Sequence, residues 1–445
     1  MSQARDVLDL EAVASNILTL ARELGAEEVS AGVSSSSYSE ITRRDGKIEQ
    51  AKESRSLAAS VQLLVDDRFS SHSTSDLRSD SLREFLERAV AATRYLEPDP
   101  DRRLPEREAL SLTDVELDLE DTTWTDGDPA PRRRRAEAVE DTVKSRMADD
   151  PVRSITAYAW DGRSERAVAF SNGFSFCKAG TSFGMAATVS LEEADGRLPE
   201  AWGSCSMLHQ SDLWTVEQLT DDLRTRALAQ LGSKPAPSGR YPMLLDRRVV
   251  SRVLGVLLSP LSGASIYEQR SCLAEHLGKR VASTAFSMHD DPLIPRAAGS
   301  RNCDGDGRPT KRRSIVEDGV LQTFFIDVYN GRRLKRDPTT GSASNVVVPV
   351  GERSVKELAR DLPQAILVDG FLGGNSNPTT GDFSFGIRGA LLEAGERVAA
   401  VSEMNVSGNI LSLMERYTAA ANDPWLLGSW RSPTLLFDDV QFSGS

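Results

Sequence analysis

Residues 286–334 read FSMHDDPLIPRAAGSRNCDGDGRPTKRRSIVEDGVLQTFFIDVYNGRRL. A short apolar segment ends at His289, Asp290 and Asp291, and a glycine-rich run follows at residues 304–307. Asp318-Gly319 then separates two β-prone runs, which is a strong signal for a two-residue hairpin turn. The stretch therefore predicts an acidic loop, a glycine-rich loop, a hairpin and a helix, in that order.

The length of the chain and its linkers predict three domains. A chain of 445 residues exceeds what a single hydrophobic core usually supports. Proline-rich and charged residues at 97–131, and the proline, serine and glycine run at 233–239, read as linkers. We therefore expect an α+β protein: an N-terminal α+β domain at residues 1–97, a central α+β domain at 98–232, and a β-rich C-terminal domain at 240–445, with antiparallel sheets in the first two.

Local patterns place the elements of the two N-terminal units. Apolar residues at helical spacing predict helices at residues 7–24, 132–147 and 216–231, and a further helix that begins at a capping box, Ser81 to Glu84. A second capping box is expected at Thr215 to Gln218. Alternation of apolar and polar residues predicts separate strands at residues 27–33, 38–44, 47–53, 57–65 and 68–73. Two-residue turn signals predict hairpins at Asp45-Gly46, Asp66-Asp67, Asp161-Gly162 and Asp195-Gly196.

The composition excludes several classes of function. A formal net charge of -13 argues against binding to a nucleic-acid backbone, which requires basic surface. Only short aliphatic runs occur, so we expect no membrane span and a cytoplasmic protein. Cys177, Cys205, Cys272 and Cys303 form no C-x-x-C pair, which favours reduced structural thiols.

The histidines predict no metal site. The chain has four histidines and none lie four residues apart, so the H-E-x-x-H pattern of a zinc protease is absent. We interpret His276 as an ordinary helix residue. His289, Asp290, Asp291, Asp304 and Asp306 offer oxygen ligands that suit a hard cation, but their spacing is not that of an EF-hand, and turns explain this composition more simply.

Two further motifs have simple structural explanations. Residues 180–184 match G-x-S-x-G, but the following residues alternate as in a strand, so Ser182 is interpreted as a sheet serine. The basic run Arg132 to Arg135 is followed by acidic residues within a turn or two, which favours a solvated helix face.

Several motifs in order resemble the TldD/PmbA family. They are ITRRDGKIEQAKESRSLAASVQLLVDDRFSSHSTSDL at 41–77, LSGASIYEQRSCLAEHLGKRV at 261–281, HDDP at 289–292, CDGDGRPTKRRSIVEDGVLQTFFIDVYNGRRL at 303–334, TGSASN at 340–345 and GDFSFGIRGALLEAGE at 381–396. The likeness is closest to the PmbA, or TldE, branch. Members of the TldD type carry zinc histidines where this chain reads IYEQRSC at 266–272, and a cysteine ligand where it reads GSWRSP at 428–433.

The resemblance implies a subunit without its own zinc. We expect no cofactor in this chain, and zinc in a TldD-like partner that forms a heterodimeric metallopeptidase with it. The implied substrates are small or unfolded peptides. One alternative is a non-proteolytic peptide-binding or scaffold homodimer, and another is a metal-independent hydrolase that uses Ser182 or Cys303.

One strand has two competing interpretations. Gly381, Asp382, Phe383, Ser384, Phe385 and Gly386 lead into an apolar hairpin. In the simpler interpretation Phe383 and Phe385 face the core. In the functional one, which the resemblance favours, the strand borders a peptide cleft and binds an extended substrate by strand addition, so that Gly381, Asp382, Phe383, Ser384 and Gly386 are the substrate-binding residues.

Overall fold

The computed structural model describes residues 8–444. Its helices are α1 Leu10–Glu23, α2 Ser79–Thr93, α3 Ala130–Arg146, α4 Val216–Leu228, α5 Val250–Leu258, α6 Gly263–Tyr267, α7 Val328–Leu334, α8 Val355–Arg360 and α9 Ile410–Glu415. Its strands are β1 Glu28–Arg44, β2 Lys47–Val65, β3 Arg68–Thr74, β4 Val152–Phe170, β5 Ser175–Leu191, β6 Glu200–Met207, β7 Gly239–Leu245, β8 Met288–Asp290, β9 Arg313–Glu317, β10 Val320–Leu321, β11 Val346–Val347, β12 Gln364–Ser376, β13 Asp382–Glu393, β14 Glu396–Asn409, β15 Tyr417–Ala420, β16 Trp430–Arg431 and β17 Leu435–Ser443.

The N-terminal half forms one antiparallel sheet of six strands in the order β3-β2-β1-β4-β5-β6. Long pairing between β1 and β4, from Ser30 with Phe170 to Arg44 with Thr156, joins the first unit to the second. The hairpin predicted at Asp161-Gly162 is wrong, because both residues lie inside the uninterrupted β4. Each of β1 and β2 likewise replaces two shorter predicted strands.

Three predicted hairpin turns are confirmed by their backbone angles. Asp45 and Gly46 have φ of 53° and 73°, Asp66 and Asp67 have 48° and 61°, and Asp318 and Gly319 have 48° and 79°. Positive φ at both central residues is the type I′ geometry that matches the twist of the flanking strands. Aspartate and glycine tolerate this region better than other residues.

Four helices cover one face of the six-stranded sheet. Residues of α1 and α2 pack on β1 and β2, and residues of α3 and α4 pack on β4 and β5. The capping box predicted at Ser81 is wrong, since α2 begins at Ser79 without a side-chain cap. The box at Thr215 and Gln218 is confirmed, with both reciprocal hydrogen bonds present.

Alternate residues of each strand point to the opposite face of the same sheet. This face carries small and polar side chains on β1, β2 and β3, and an apolar cluster that includes Val168 and Phe170 at the end of β4. Residues 110–119 cross beside this face and connect it to the C-terminal half. The Thr113 amide donates to the Asn302 carbonyl, and the Thr181 amide donates to the Leu119 carbonyl. This arrangement places the loop at residues 298–307 over the open face of the sheet.

The C-terminal half is β-rich, and the predicted fold class is confirmed. One sheet has the order β14-β13-β12-β7-β17-β15, and an additional pairing of β14 with β17 curls it toward closure. A second sheet has the order β10-β9-β8-β11-β16. His276 lies in an irregular segment between two turns, so the helix expected there is wrong. Among residues 8–444, none of the helices is both long and apolar enough to cross a bilayer.

Candidate functional site

A cleft lies between the open face of the six-stranded sheet and the loop at residues 298–305. It consists of a pocket of about 270 Å³ that adjoins a wider one of about 440 Å³. Leu119, Arg166, Lys178 and Ser300 line both pockets. We call this combined space the sheet cleft.

The floor of the sheet cleft is made of small polar residues from three neighbouring strands. The strands β1, β2 and β3 contribute Ser30, Gly32, Ser60, Gln62 and Ser71. These positions belong to the face without helices, whereas the alternate residues Val29, Ala31 and Val33 are buried under α1 and α2. Short side chains leave the sheet surface open to a ligand.

Two cations project from the sheet into this space. Arg166 on β4 and Lys178 on β5 are exposed and directly opposite each other in the antiparallel register. Within residues 8–444 neither side chain forms an ion pair or a hydrogen bond. Like charges at a directly opposed pair destabilise a sheet, so the protein gains no stability from this placement. Partial desolvation, followed by the charge of Arg166, lowers the pKa of Lys178.

Gly32 is required for the position of the Arg166 guanidinium. A Cβ on Gly32 would lie 2.9 Å from Arg166 Nη2 and 3.4 Å from its Nε. The guanidinium therefore rests against the backbone of β1, where any larger residue would displace it.

The glycine-rich loop forms the other wall. One Asp304 oxygen accepts the amides of Asp306 and Arg308, each at 3.0 Å, which holds residues 304–308 in a tight turn. The other oxygen, Oδ2, is buried and without a hydrogen-bond partner among the described residues. Burial raises the pKa of Asp304. It also raises the pKa of Cys303 to about 11, helped by the Asp304 charge, so this thiol stays protonated at neutral pH and is a poor nucleophile.

The other acidic residues of this region do not converge on a cation site. Asp290 accepts from the amide of Ser344 and pairs with Arg313, while Asp306 accepts the Val328 amide at the start of α7. Burial raises the pKa of Asp306 to about 6. In the described part of the chain, no three His, Cys, Asp or Glu side chains come close enough together to hold a metal ion.

Ser182 lies in β5 and lines the wider pocket, so its prediction as a sheet serine is confirmed. No histidine of residues 8–444 donates to or accepts from its hydroxyl. His209, the nearest in sequence, bonds instead to the Asp118 carbonyl at 2.9 Å. Ser182 thus lacks the general base that would activate a serine nucleophile.

The segment 381–386 is an inner strand. β13 pairs with β12 on one side and with β14 on the other, so it has no free edge and strand addition there is excluded. Phe383 and Phe385 are 5% and 1% exposed and belong to the core. Asp382 and Ser384 are exposed on the opposite face, and a hydrogen bond from Asn409 lowers the pKa of Asp382. The substrate-binding assignment of Gly381, Asp382, Phe383, Ser384 and Gly386 stays a prediction.

The basic run on α3 is not a solvated face throughout. Arg132 is buried and its Nη1 bonds both oxygens of Asp161, at 2.8 and 3.0 Å. Helix packing on β4 brings these two residues together, because Asp161 lies on the helix-covered face. The prediction failed at Arg132 because sequence alone gave no sign of a buried aspartate opposite α3.

Comparisons with known proteins place the chain in a family. Residues 238–444 match the PmbA/TldA metallopeptidase C-terminal domain, and residues 29–93 match PmbA/TldA metallopeptidase domain 1. A solved structure from Bacteroides thetaiotaomicron, whose name describes a modulator of DNA gyrase, is 33% identical, with a TM-score of 0.93 over 98% of each chain.

The chain belongs to the PmbA/TldD family. Metalloprotease PmbA of Escherichia coli O157:H7 is 23% identical over 98% of this chain and 96% of its own length. TldE from Thermococcus kodakarensis has the same fold, with a TM-score of 0.84, 18% identity, and coverage of 97% of this chain and 100% of its own. The protein is accordingly metalloprotease-like in family and architecture.

The residues at the positions where the resemblance implies zinc ligands do not fit zinc. A catalytic zinc is usually held by three protein nitrogen, sulfur or oxygen ligands. In residues 266–272 the side chains of Glu268 and Arg270 pair with each other, and the Arg333 guanidinium lies 3.4 Å from the centre of the Tyr267 ring. Burial raises the pKa of Cys272, which packs where a Cβ on Gly381 would lie 3.3 Å from its sulfur. This PmbA/TldD-family chain therefore offers no zinc cage at residues 266–272.

Three residues of the sheet cleft were missed from the sequence: Arg166, Lys178 and Arg301. The alternation of β4 and β5 gave a usable signal, because it places Arg166 and Lys178 on the face opposite to the buried Ala167, Ala169 and Ala187. The pairing of these two strands in register could not be deduced from that alternation.

Proposed function

We propose that this chain is the TldE-like subunit of a heterodimeric metallopeptidase, whose zinc is held by a TldD-like partner and whose substrates are small, unfolded peptides. The observation that carries the proposal is the chemistry of residues 266–272. Where the family resemblance places zinc ligands, this chain has an arginine-stacked tyrosine, a Glu268–Arg270 ion pair and one thiol whose pKa is raised by burial.

The sheet cleft supports a role in holding peptide. An unfolded peptide is extended and presents both backbone and charged groups, and the cleft offers a polar floor with basic residues above it. Its two pockets adjoin, so a bound chain has room to continue from one into the other. In this proposal the subunit binds and orients the substrate.

The zinc, and the water that a protein-bound zinc activates, are assigned to the partner. This chain contributes the walls that position peptide and limit access of folded proteins. The net charge of -13 fits neither nucleic-acid binding nor a polybasic surface. The cytoplasmic location is part of the same proposal.

Reconstitution tests this function. The purified chain and a TldD-like protein from the same genome are assayed separately and mixed, with an unstructured fluorogenic peptide. We expect negligible turnover from this chain alone and turnover from the mixture well above that of the partner alone. Size-exclusion chromatography with elemental analysis is expected to place both chains in one peak, with about one zinc per heterodimer.

Two results would contradict the proposed function. One zinc per chain in the isolated protein, retained after dialysis against a mild chelator, would contradict the assignment of zinc to the partner. Peptide binding without any turnover in the mixture, combined with a stable homodimer, would favour the non-proteolytic scaffold. Ser182→Ala tests the serine hydrolase, because a large loss of kcat with the fold and KM retained would revive it.

A further inference from the structure

The strongest unexplained feature is the opposed pair Arg166 and Lys178. In a chain with a net charge of -13, two cations occupy directly opposite positions on neighbouring strands, with no carboxylate paired to either among residues 8–444. Like charges at such positions are unfavourable. The arrangement adds no stability to the folded chain unless an anion binds between the two cations.

The charged residues around the pocket are mostly cationic. The charged residues that line the 270 Å³ pocket are Arg166, Lys178, Arg301 and Asp304. Arg301 is held by the carbonyl and hydroxyl of Ser342, and its Nε is buried without a partner. Asp304 directs one oxygen to the amides of its own loop. Three cations therefore line the pocket with one carboxylate, of which one oxygen is already engaged by the loop amides.

The Arg166 guanidinium lies close to the backbone of β1 at Gly32. Only glycine at position 32 leaves room for the Arg166 guanidinium to lie against β1, because a Cβ there would come within 2.9 Å of Nη2. A guanidinium fixed in this way presents its remaining N–H groups to the pocket, and a planar guanidinium matches the two oxygens of a carboxylate.

We propose that Arg166 and Lys178 form a binding site for a carboxylate of a peptide, with the peptide continuing along β4 and β5 into the 440 Å³ pocket. The carboxylate is either the C-terminus of the peptide or an acidic side chain. This inference rests on the proposed function for the identity of its ligand as a peptide. It adds a substrate preference, namely for peptides that carry a negative charge at or near the bound end.

Direct binding to the isolated full chain tests the site. Three fluorescent peptides share one neutral, unstructured sequence: the first ends in a free acid, the second in an amide, and the third in an amide with one glutamate near its end. Fluorescence anisotropy at low salt is expected to give a dissociation constant about tenfold lower for the acid than for the amide, as one charge-assisted contact commonly provides. The glutamate peptide identifies which source of carboxylate is preferred.

Variants locate the binding in the cleft. Arg166→Gln and Lys178→Gln should each raise the dissociation constant of the preferred peptide about tenfold, and Gly32→Ala should weaken binding by moving the guanidinium while keeping its charge. Lys144→Gln is the matched control: Lys144 is an exposed lysine on α3, on the helix-covered side of the sheet. Its variant should bind within about twofold of the wild type.

Each outcome decides the proposal. Equal affinity for the acid, amide and glutamate peptides would overturn the carboxylate site. Variants of Arg166 and Lys178 that bind peptide as tightly as Lys144→Gln would also overturn it. So would a wild-type chain that binds no peptide. In the last case reconstituted turnover with the partner would leave the proposed function intact. Acid-selective binding through Arg166 and Lys178, without turnover on reconstitution, would keep the site and reject the peptidase subunit.

Discussion

Strand β4 carries charged side chains on both of its faces, and they have protein partners on one face but not on the other. On the helix-covered face the buried Asp161 accepts from Arg132 and, at 3.1 Å, from the Trp124 indole N–H. On the open face, a few residues along, Arg166 has no partner within residues 8–444. A buried charge must be paired because desolvation is costly, whereas an exposed one remains free to meet a ligand. The paired Asp161 therefore stabilises the fold, whereas the unpaired Arg166 is available to bind a ligand.

The largest expected effect is on the helix-covered face. Asp161→Ala leaves the Arg132 guanidinium buried without its carboxylate, so the free energy of unfolding should fall by about 3–5 kcal/mol. Denaturant titration followed by circular dichroism measures this change. Asp141→Ala, at an exposed position on α3, is the control and should change stability by less than about 0.5 kcal/mol. A loss below about 1 kcal/mol for Asp161→Ala would remove the distinction between the two faces.

A smaller effect is expected at the loop that faces the cleft. Burial raises the pKa of Asp306 to about 6, above its ordinary value of 3.8. The folded state therefore binds more protons than the unfolded state between pH 4 and pH 6, and this group's contribution to stability falls as pH rises through that window. Asp306→Asn still offers an oxygen to the Val328 amide, and it should be about 1–3 kcal/mol more stable than the wild type at pH 7.5.

The pH dependence provides the check. The stabilities of the wild type and Asp306→Asn, measured by urea unfolding at several pH values, should differ least below pH 4, diverge between pH 4 and pH 6, and keep a constant difference above that window. Asp114→Asn, at an exposed position in the linker, should run parallel to the wild type throughout. Curves of wild type and Asp306→Asn that stay parallel would mean that Asp306 ionises normally in the folded protein.

On the open face the effect on stability should be small and of opposite sign to that at Asp161. Lys178→Gln removes a like-charge opposition to Arg166, so we expect a gain of roughly 0.2–1 kcal/mol. Thermal unfolding at low salt measures it, and added salt should shrink the difference because exposed charges are screened. A loss of more than about 1 kcal/mol would instead mark Lys178 as a structural residue.

The smallest effect is expected at the predicted strand of the C-terminal half. Asp382→Ala with Ser384→Ala changes two exposed side chains and should alter stability by less than about 0.5 kcal/mol. If these residues border the substrate, KM of the reconstituted complex should rise about two- to tenfold, which corresponds to one or two lost hydrogen bonds. An unchanged KM and turnover would end that assignment.

Local signals were sufficient to predict much of the fold. The turn pairs at Asp45-Gly46, Asp66-Asp67 and Asp318-Gly319 and the capping box at Thr215 depend on neighbouring residues alone, and all are confirmed. Asp161-Gly162 has the same signature as these turns, yet it lies within β4. The buried Arg132 stabilises Asp161 there, and a close contact replaces the turn at Gly162: a Cβ would come 2.7 Å from the Ser37 carbonyl.

The candidate site was predicted less well, because it depends on register. Lys178 faces Arg166 only when β5 pairs with β4 in the observed alignment, and Cys303 and Asp304 reach this region on a loop from a distant part of the chain. None of these contacts leaves a periodic trace in the sequence. The predicted site at Gly381 to Gly386 came from family resemblance, and the pairing of β13 on both sides could not be deduced from it.

The position of β1 at the middle of the sheet has a consequence for synthesis of the chain. β1 pairs with β2 through a two-residue turn, but its other neighbour is β4, and the Val29 amide meets the Ser171 hydroxyl 142 positions away. At roughly 5–20 residues per second, synthesis of β4 follows synthesis of the β1–β2 hairpin by on the order of ten seconds. For that interval a nascent hairpin exposes an unpaired edge along the 17 residues of β1, which makes it a target for chaperones and for aberrant association between emerging chains.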